Sequence, residues 1–304
     1  MTIGVFDGVH RGHRVLLDAV RQAAARAGGT AAAVTFRPPP ARILRPEVPL
    51  QEITPWPEKR ALLQAAGIER IVPLRFTRAL AAQAPEAFVR EVLLQQFDLA
   101  GLVIGYDFRF GARGAGDAGL LRRMGRGHGF RVRAIGAVRY AGRPISSTRI
   151  RNALARGRVD LAGAMLGRPF AVWGRVVAGR GLGTRRLVPT ANLRPAPTQL
   201  LPADGVYLTR LRHRGRTWGG VAHVGGTPTL GGPIAAPIEV HLLDFTGSLH
   251  GARLSLEFLA RHRESRRFAG FRELRRAILE DVRWARGMFA RGGENRLAWW
   301  RMGC

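Results

Sequence analysis

The chain has 304 residues, 46% of them hydrophobic, enough for the cores of about two domains, and its one cysteine, Cys304, excludes an intrachain disulfide framework. No run approaches the ~18 consecutive apolar residues of a spanning helix and no basic-then-apolar leader opens the chain, so the expectation is a cytoplasmic location with no membrane partner. The formal net charge of +28 attracts polyanions, yet it is almost wholly arginine, with Lys59 the only lysine, and it is spread over both halves; that reads as a general arginine bias before a nucleic-acid face, and anionic small substrates would also profit from the field.

In chain order, "GVFDGVHRGH" (Gly4–His13) follows a short apolar strand directly. Arg11 to Ala27 predicts a helix, because Leu16, Val20, Ala23, Ala24 and Ala27 recur at helical spacing and Gly28-Gly29 stops it. "AAAVTF" (Ala31–Phe36) predicts a buried strand. Pro57 opens a helix ending at Gly67, followed by the strand "IERIVPL"; Pro85 opens another through Phe97, followed by "LVIG" (Leu102–Gly105). Strands alternating with helices predict an α/β, doubly wound, Rossmann-like domain whose ligand sits at the carboxyl ends of parallel strands.

From Pro169 the pattern changes. "FAVWGRVVAG", "GVYLTRLRH", "RTWGGVAHV", "IEVHLLDF" and "RLSLEFLA" are short, β-rich and separated by turn residues, which predicts an antiparallel β-barrel or sandwich. A last helix is expected from about Gly270 to Arg291, with Leu274, Ile278, Val282 and Met288 along one side. The boundary is expected at 168, after a short helical linker, giving domains 1–168 and 169–304.

The opening stretch carries chemistry. His10 and His13 lie at the mouth of the first helix, where unpaired amides and the helix dipole favour phosphate. Gly8 and Gly12 let backbone approach a ligand closely, and imidazoles there can stabilise charge as a phosphorus–oxygen bond breaks. A zinc site is not expected, since no third or fourth ligand lies nearby.

"GVFDGVHRGH" resembles the nucleotidylyltransferase signature of the bifunctional riboflavin kinase/FAD synthetase family, and "VIGYDFRFGARGAGD" (Val103–Asp117) and "ISSTRIR" (Ile145–Arg151) match that family's later motifs in order and spacing. The resemblance implies that FMN attacks the α-phosphorus of ATP, expelling pyrophosphate and leaving FAD. By motif, Gly4, Phe6, Asp7, Gly8 and Gly12 shape the nucleotide turn and His10 and His13 contact the ATP phosphates. Ser147, Thr148 and Arg151 bind the triphosphate, while Asp107 and Arg109 shape the nucleotide or flavin pocket. Mg²⁺ is the implied cofactor.

In the second half, "VPTANL" (Val188–Leu193), "DGVY" and "EVHLLDF" resemble the family's flavokinase barrel, which converts riboflavin to FMN with ATP. There the resemblance implies Thr190 and Asn192 as oxygen ligands for Mg²⁺ on ATP and Glu239 as the base for riboflavin's 5′-hydroxyl. By alternation, Ile238, Val240 and Leu242 share one strand face and Glu239 falls on the other with His241. "GRGLG" offers Gly179, Gly181 and Gly183 as a phosphate-wrapping turn, and Arg263 and Glu264 resemble a flavin-side pair.

The chain departs from the family at three places. Pro39 stands where the family has a histidine, Leu187 where it has a glycine, and Thr227 where it tends to have arginine. The last two narrow the kinase site, so an FAD synthetase with impaired or lost kinase activity is the second reading; a nucleotidyltransferase-like scaffold that binds RNA is a remote third. The first strand is expected to be short, with a weakened ladder. The substrates expected are riboflavin, FMN and ATP, and the chain a monomer or weak homo-oligomer.

Overall fold

A computed structural model describes residues 1–178, 190–225 and 237–290. The chain divides into two compact units, Met1–Ser146 and Ser147–Cys304.

The first unit is built on a parallel sheet of β1 (Thr2–Ile3), β2 (Ala32–Phe36), β3 (Arg70–Leu74), β4 (Gly101–Gly105) and β5 (Arg131–Ile135), in the order β3-β2-β1-β4-β5. Between them run α1 (Arg11–Arg26), α2 (Pro40–Leu44), α3 (Trp56–Ala65), α4 (Arg78–Ala82), α5 (Pro85–Ala87) and α6 (Ala118–His128); a two-strand ribbon of β6 (Arg139–Tyr140) and β7 (Arg143–Pro144) follows. Alternation along the strands feeds a core on each sheet face. Leu102 and Ile104 join Ile3, Val34, Phe88 and Leu93 on one side, while Val103 joins Leu17, Val20, Ala33 and Leu63 on the other.

β1 is two residues long, as expected, yet it holds the centre of the sheet: Thr2 and Ile3 register with Ala33 and Val34, and Thr2 also with Val103. The helix expected from Pro85 to Phe97 is instead a short α-helical turn followed by a π-helix, Phe88–Leu94, in which Gln95 N–H donates to Arg90 O. Its residues Phe88, Val89, Val92 and Leu93 are all buried in the core. Asp117 caps α6, and Gly129 in the left-handed region ends it.

The second unit begins with α7 (Ser147–Ala155) and α8 (Val159–Leu166), the stretch expected as a linker. These helices pack with the barrel: α8 lies against β8 and β13, and Ala203 N–H donates to Leu154 O at 2.9 Å. The barrel comprises β8 (Phe170–Val177), β9 (Ala191–Pro195), β10 (Gly205–His213), β11 (Arg216–Val224), β12 (Ile238–Leu242) and β13 (Arg253–Arg263), closed in the order β10-β11-β12-β9-β8-β13. Phe170, Tyr207 and Phe258 meet inside it, with Tyr207 edge-on to Phe258 at 5.3 Å. The last helix, α9 (Phe271–Ala290), lays Val282 and Ala285 on the outer residues Val206, Leu208, Val221 and Leu259. Its other buried positions are Ala277 and Asp281.

Candidate functional site

In the first unit the sheet order reverses direction between β1 and β4, and the loops after these two strands emerge side by side at the carboxyl edge. The loop after β1 is tightly wound. Phe6 (φ 51°) and Val9 (φ 40°) both adopt left-handed backbone, which bulky and β-branched residues avoid, and Gly8 (φ 86°) lies between them. The Phe6 ring covers Gly4 so closely that a Cβ there would sit 3.0 Å from it, and it meets His13 edge-on at 5.2 Å.

His10 is the N-cap of α1. Its Nδ1 accepts the His13 backbone N–H at 3.3 Å, which in the neutral ring leaves the proton on Nε2, a hydrogen-bond donor. The two imidazoles stack at 3.6 Å and 15°, and the missing side chain at Gly12 makes room, since a Cβ there would lie 3.2 Å from the His10 ring. His10 and His13 therefore form one unit with the helix N-terminus.

Asp7, named for the nucleotide turn, is buried, and its carboxylate accepts the Ile53 and Thr54 amides at 3.1 and 3.2 Å. It clamps the turn to residues 53–54. Beneath it lie Glu52 and Lys59, the latter only 2% exposed. Burial raises the Glu52 pKa and Asp7 raises it further, while Lys59, Arg42 and Arg37 lower it; Arg42 Nη2 stands 3.7 Å from Glu52 Oε1. Sequence reasoning missed this support. Its one signal was a lone lysine in a chain that otherwise uses arginine.

Asp107 and Arg109 lie on the exposed loop after β4, flanking the same switch point. Arg109 Nη1 is 3.5 Å from Asp117, whose pKa is lowered chiefly by the Leu120 amide that it accepts as the α6 cap. Ser147 and Thr148 open α7 in the second unit, with Arg151 one turn further on.

On the barrel, Ile238, Val240 and Leu242 are buried and Glu239 alternates with them on the outer face. The register puts Asn192 of β9 directly across from Glu239 on one side and His223 of β11 directly across on the other. Thr190 immediately precedes β9. The oxygens implied for a metal and the carboxylate implied as a base thus belong to adjacent strands. Among the described residues no group of three or more His, Cys, Asp or Glu gathers to hold a metal. Two neutral oxygens beside one carboxylate fit a hard ion that keeps its waters and takes phosphate as ligand.

Arg263 faces a protein partner: its Nε and Nη2 donate to the two carboxylate oxygens of buried Asp281 at 2.8 and 2.7 Å, tying β13 to α9. Glu264 is exposed, with Arg261 at 3.4 Å. His262 stacks on Trp284 at 3.9 Å and lies 3.5 Å from Asp281. Gly179, Gly181, Gly183, Leu187 and Thr227 lie outside the described residues.

Residues 1–149 match the FAD synthetase family and residues 166–289 the riboflavin kinase family. A bifunctional riboflavin kinase/FMN adenylyltransferase of Pseudomonas fluorescens is 39% identical over 289 residues, covering 95% of this chain and 92% of its own. That of Escherichia coli K12 is 36% identical with the same coverage, and that of Bacillus subtilis is 32% identical over 92% of this chain and 89% of its own. A crystal structure described as a macrolide-efflux protein from Streptococcus pneumoniae superposes with a TM-score of 0.83 at 28% identity, covering 94% of this chain and 93% of that one. With both halves matched in order and curated relatives aligned over nearly their whole length, this chain belongs to the bifunctional riboflavin kinase/FMN adenylyltransferase family.

Proposed function

We propose that the chain phosphorylates riboflavin to FMN on its barrel unit and adenylylates FMN to FAD on its parallel-sheet unit, each time with ATP. Residues 1–168 serve the second reaction and 169–304 the first. The observation that carries the two-activity reading is the pairing of Glu239 with Asn192 across β12 and β9, because it supports the half in which the sequence departs most from the family pattern.

In adenylyl transfer an FMN phosphate oxygen bonds to the α-phosphorus of ATP while the bond to pyrophosphate breaks. The chain supplies position and charge. The first amides of α1 and the Nε2 donor of His10 hold the departing pyrophosphate oxygens, with His13 stacked beside it. Gly4, Phe6, Gly8 and Gly12 shape that turn and Asp7 clamps it. Ser147, Thr148 and Arg151 donate to the triphosphate, and Asp107 and Arg109 border the nucleotide or flavin.

In the kinase step Glu239 accepts the proton of riboflavin's 5′-hydroxyl as that oxygen attacks the γ-phosphorus and ADP leaves. Thr190 and Asn192 would hold Mg²⁺, which when bound neutralises phosphate charge. The resemblance assigns Gly179, Gly181 and Gly183, outside the described residues, to the ATP phosphates, and Arg263 supports the flavin side through its hold on α9, with Glu264 next to it.

The test feeds MgATP with riboflavin or with FMN to the full chain and resolves FMN and FAD by chromatography. FAD from FMN without FMN from riboflavin retires the kinase assignment; neither product retires the whole reading.

A further inference from the structure

Three polar residues stand in one row across the outer barrel wall: Asn192 on β9, Glu239 on β12 and His223 on β11, each the register partner of the next. Neighbouring strands lie ~4.8 Å apart, so the row is roughly 10 Å long. Its middle is the base of the kinase reading and its Asn192 end is the magnesium and ATP side. In a phosphoryl transfer the acceptor alcohol approaches from the side away from the leaving group, and the remaining end of the row is His223.

That end is built. His223 Nε2 lies 3.0 Å from Ser265 Oγ, in the segment that joins β13 to α9. The segment is fastened on both flanks, by the Arg263–Asp281 pair before Ser265 and by the Ala269 N–H donating to Glu273 after it. Burial lowers the pKa of His223; Asp204 and Asp281 raise it and Arg263 lowers it, and the net shift is downward. At neutral pH the pair is therefore an uncharged imidazole and a hydroxyl. Groups that both donate and accept match the hydroxyls of an alcohol, which do the same.

We propose that His223 and Ser265 form the acceptor subsite of the kinase centre, hydrogen-bonding the hydroxyls of the ribityl chain beside the one that Glu239 deprotonates, and so select a polyol-bearing flavin. The inference rests on the kinase reading. An imidazole has two nitrogens, and the Ser265 contact uses one of them. The subsite so drawn touches neither the flavin ring nor ATP.

The test has a kinetic and a binding arm. For wild type, His223→Ala, Ser265→Ala and the double variant, kinase rates are measured against riboflavin and MgATP separately. Riboflavin and lumiflavin, which lacks the ribityl chain, are then titrated by flavin fluorescence. Expected is a rise of about tenfold in the riboflavin KM and Kd for each single variant, roughly the loss of one buried hydrogen bond. The KM for MgATP and the Kd for lumiflavin should stay within twofold, the double variant should be less than additive, and His223→Gln should recover part of the loss. An unchanged riboflavin Kd, or equal weakening of riboflavin and lumiflavin, overturns the proposal. If His223→Ala does not fold, Ser265→Ala, at a half-buried loop position, decides it. A wild-type chain that binds riboflavin without phosphorylating it sinks the kinase reading, while the riboflavin-against-lumiflavin comparison still judges the subsite.

Discussion

Replacing Asp281 with alanine removes the carboxylate that holds β13 to α9. Asp281 is 4% exposed, accepts two Arg263 donors at 2.8 and 2.7 Å and lies 3.5 Å from His262. Breaking a buried pair from one side costs about 3–5 kcal/mol, because the remaining charge stays in place without compensation. The Arg263 side chain is 25% exposed, so water recovers part of that and about 2–4 kcal/mol is expected. At about 2–4 °C per kcal/mol for a unit of this size, the barrel transition should fall by about 5–15 °C. Calorimetry of the full chain reads this directly. An Arg263→Met/Asp281→Met variant should recover more than half of the loss, since an apolar pair strands no charge. A melting temperature within 1 °C of wild type for Asp281→Ala, or a double variant no more stable than the single one, refutes the argument.

Other outcomes follow from the same geometry. His13→Ala should reduce FAD formation from FMN by about 10²-fold or more while riboflavin phosphorylation persists, measured by separate assays; undiminished FAD formation removes the histidines from the first reaction. Glu239→Gln should lower FMN formation by about 10²–10⁴-fold and leave FAD synthesis from supplied FMN intact. His223 and His262 both have pKa values lowered chiefly by burial, so the native barrel refuses protons that the unfolded chain accepts. Their contribution to stability is complete above the unfolded value of about 6.5 and is lost progressively as pH falls below it. Urea midpoints at pH 7.5 and 5.5 should differ in that direction, and less so in His223→Asn.

The sequence displayed the opening motif, the helix behind it and the barrel strands because each rests on local chemistry: caps, apolar spacing and alternation. It concealed what depends on distant partners. Helix α6 contains Gly119, Gly125 and Gly127, which weaken its helical signal, yet a Cβ at Gly125 would stand 2.4 Å from Phe130 O, so that glycine serves packing. Strand β5 was hidden by Arg131 and Arg133, which suit a charged sheet edge and not a buried strand. The face of Glu239 was readable from alternation, but its neighbours were not, since cross-strand register belongs to the ladder and not to any one segment. Likewise "RHRES" gave Arg263 no partner, because Asp281 lies on the following helix. Lys59 was visible only as an oddity of composition.

A closed wall of six strands has no free margin along which a segment could slide. β12 is gripped on both sides, and moving it by one residue would turn Glu239 into the lumen and bring Ile238 or Val240 out. A single-residue insertion or deletion within this five-residue strand should therefore abolish phosphorylation of riboflavin even where the chain still folds. A one-residue insertion at the Arg214–Gly215 hairpin tip, at the far end of β10 and β11 from His223, should spare that phosphorylation.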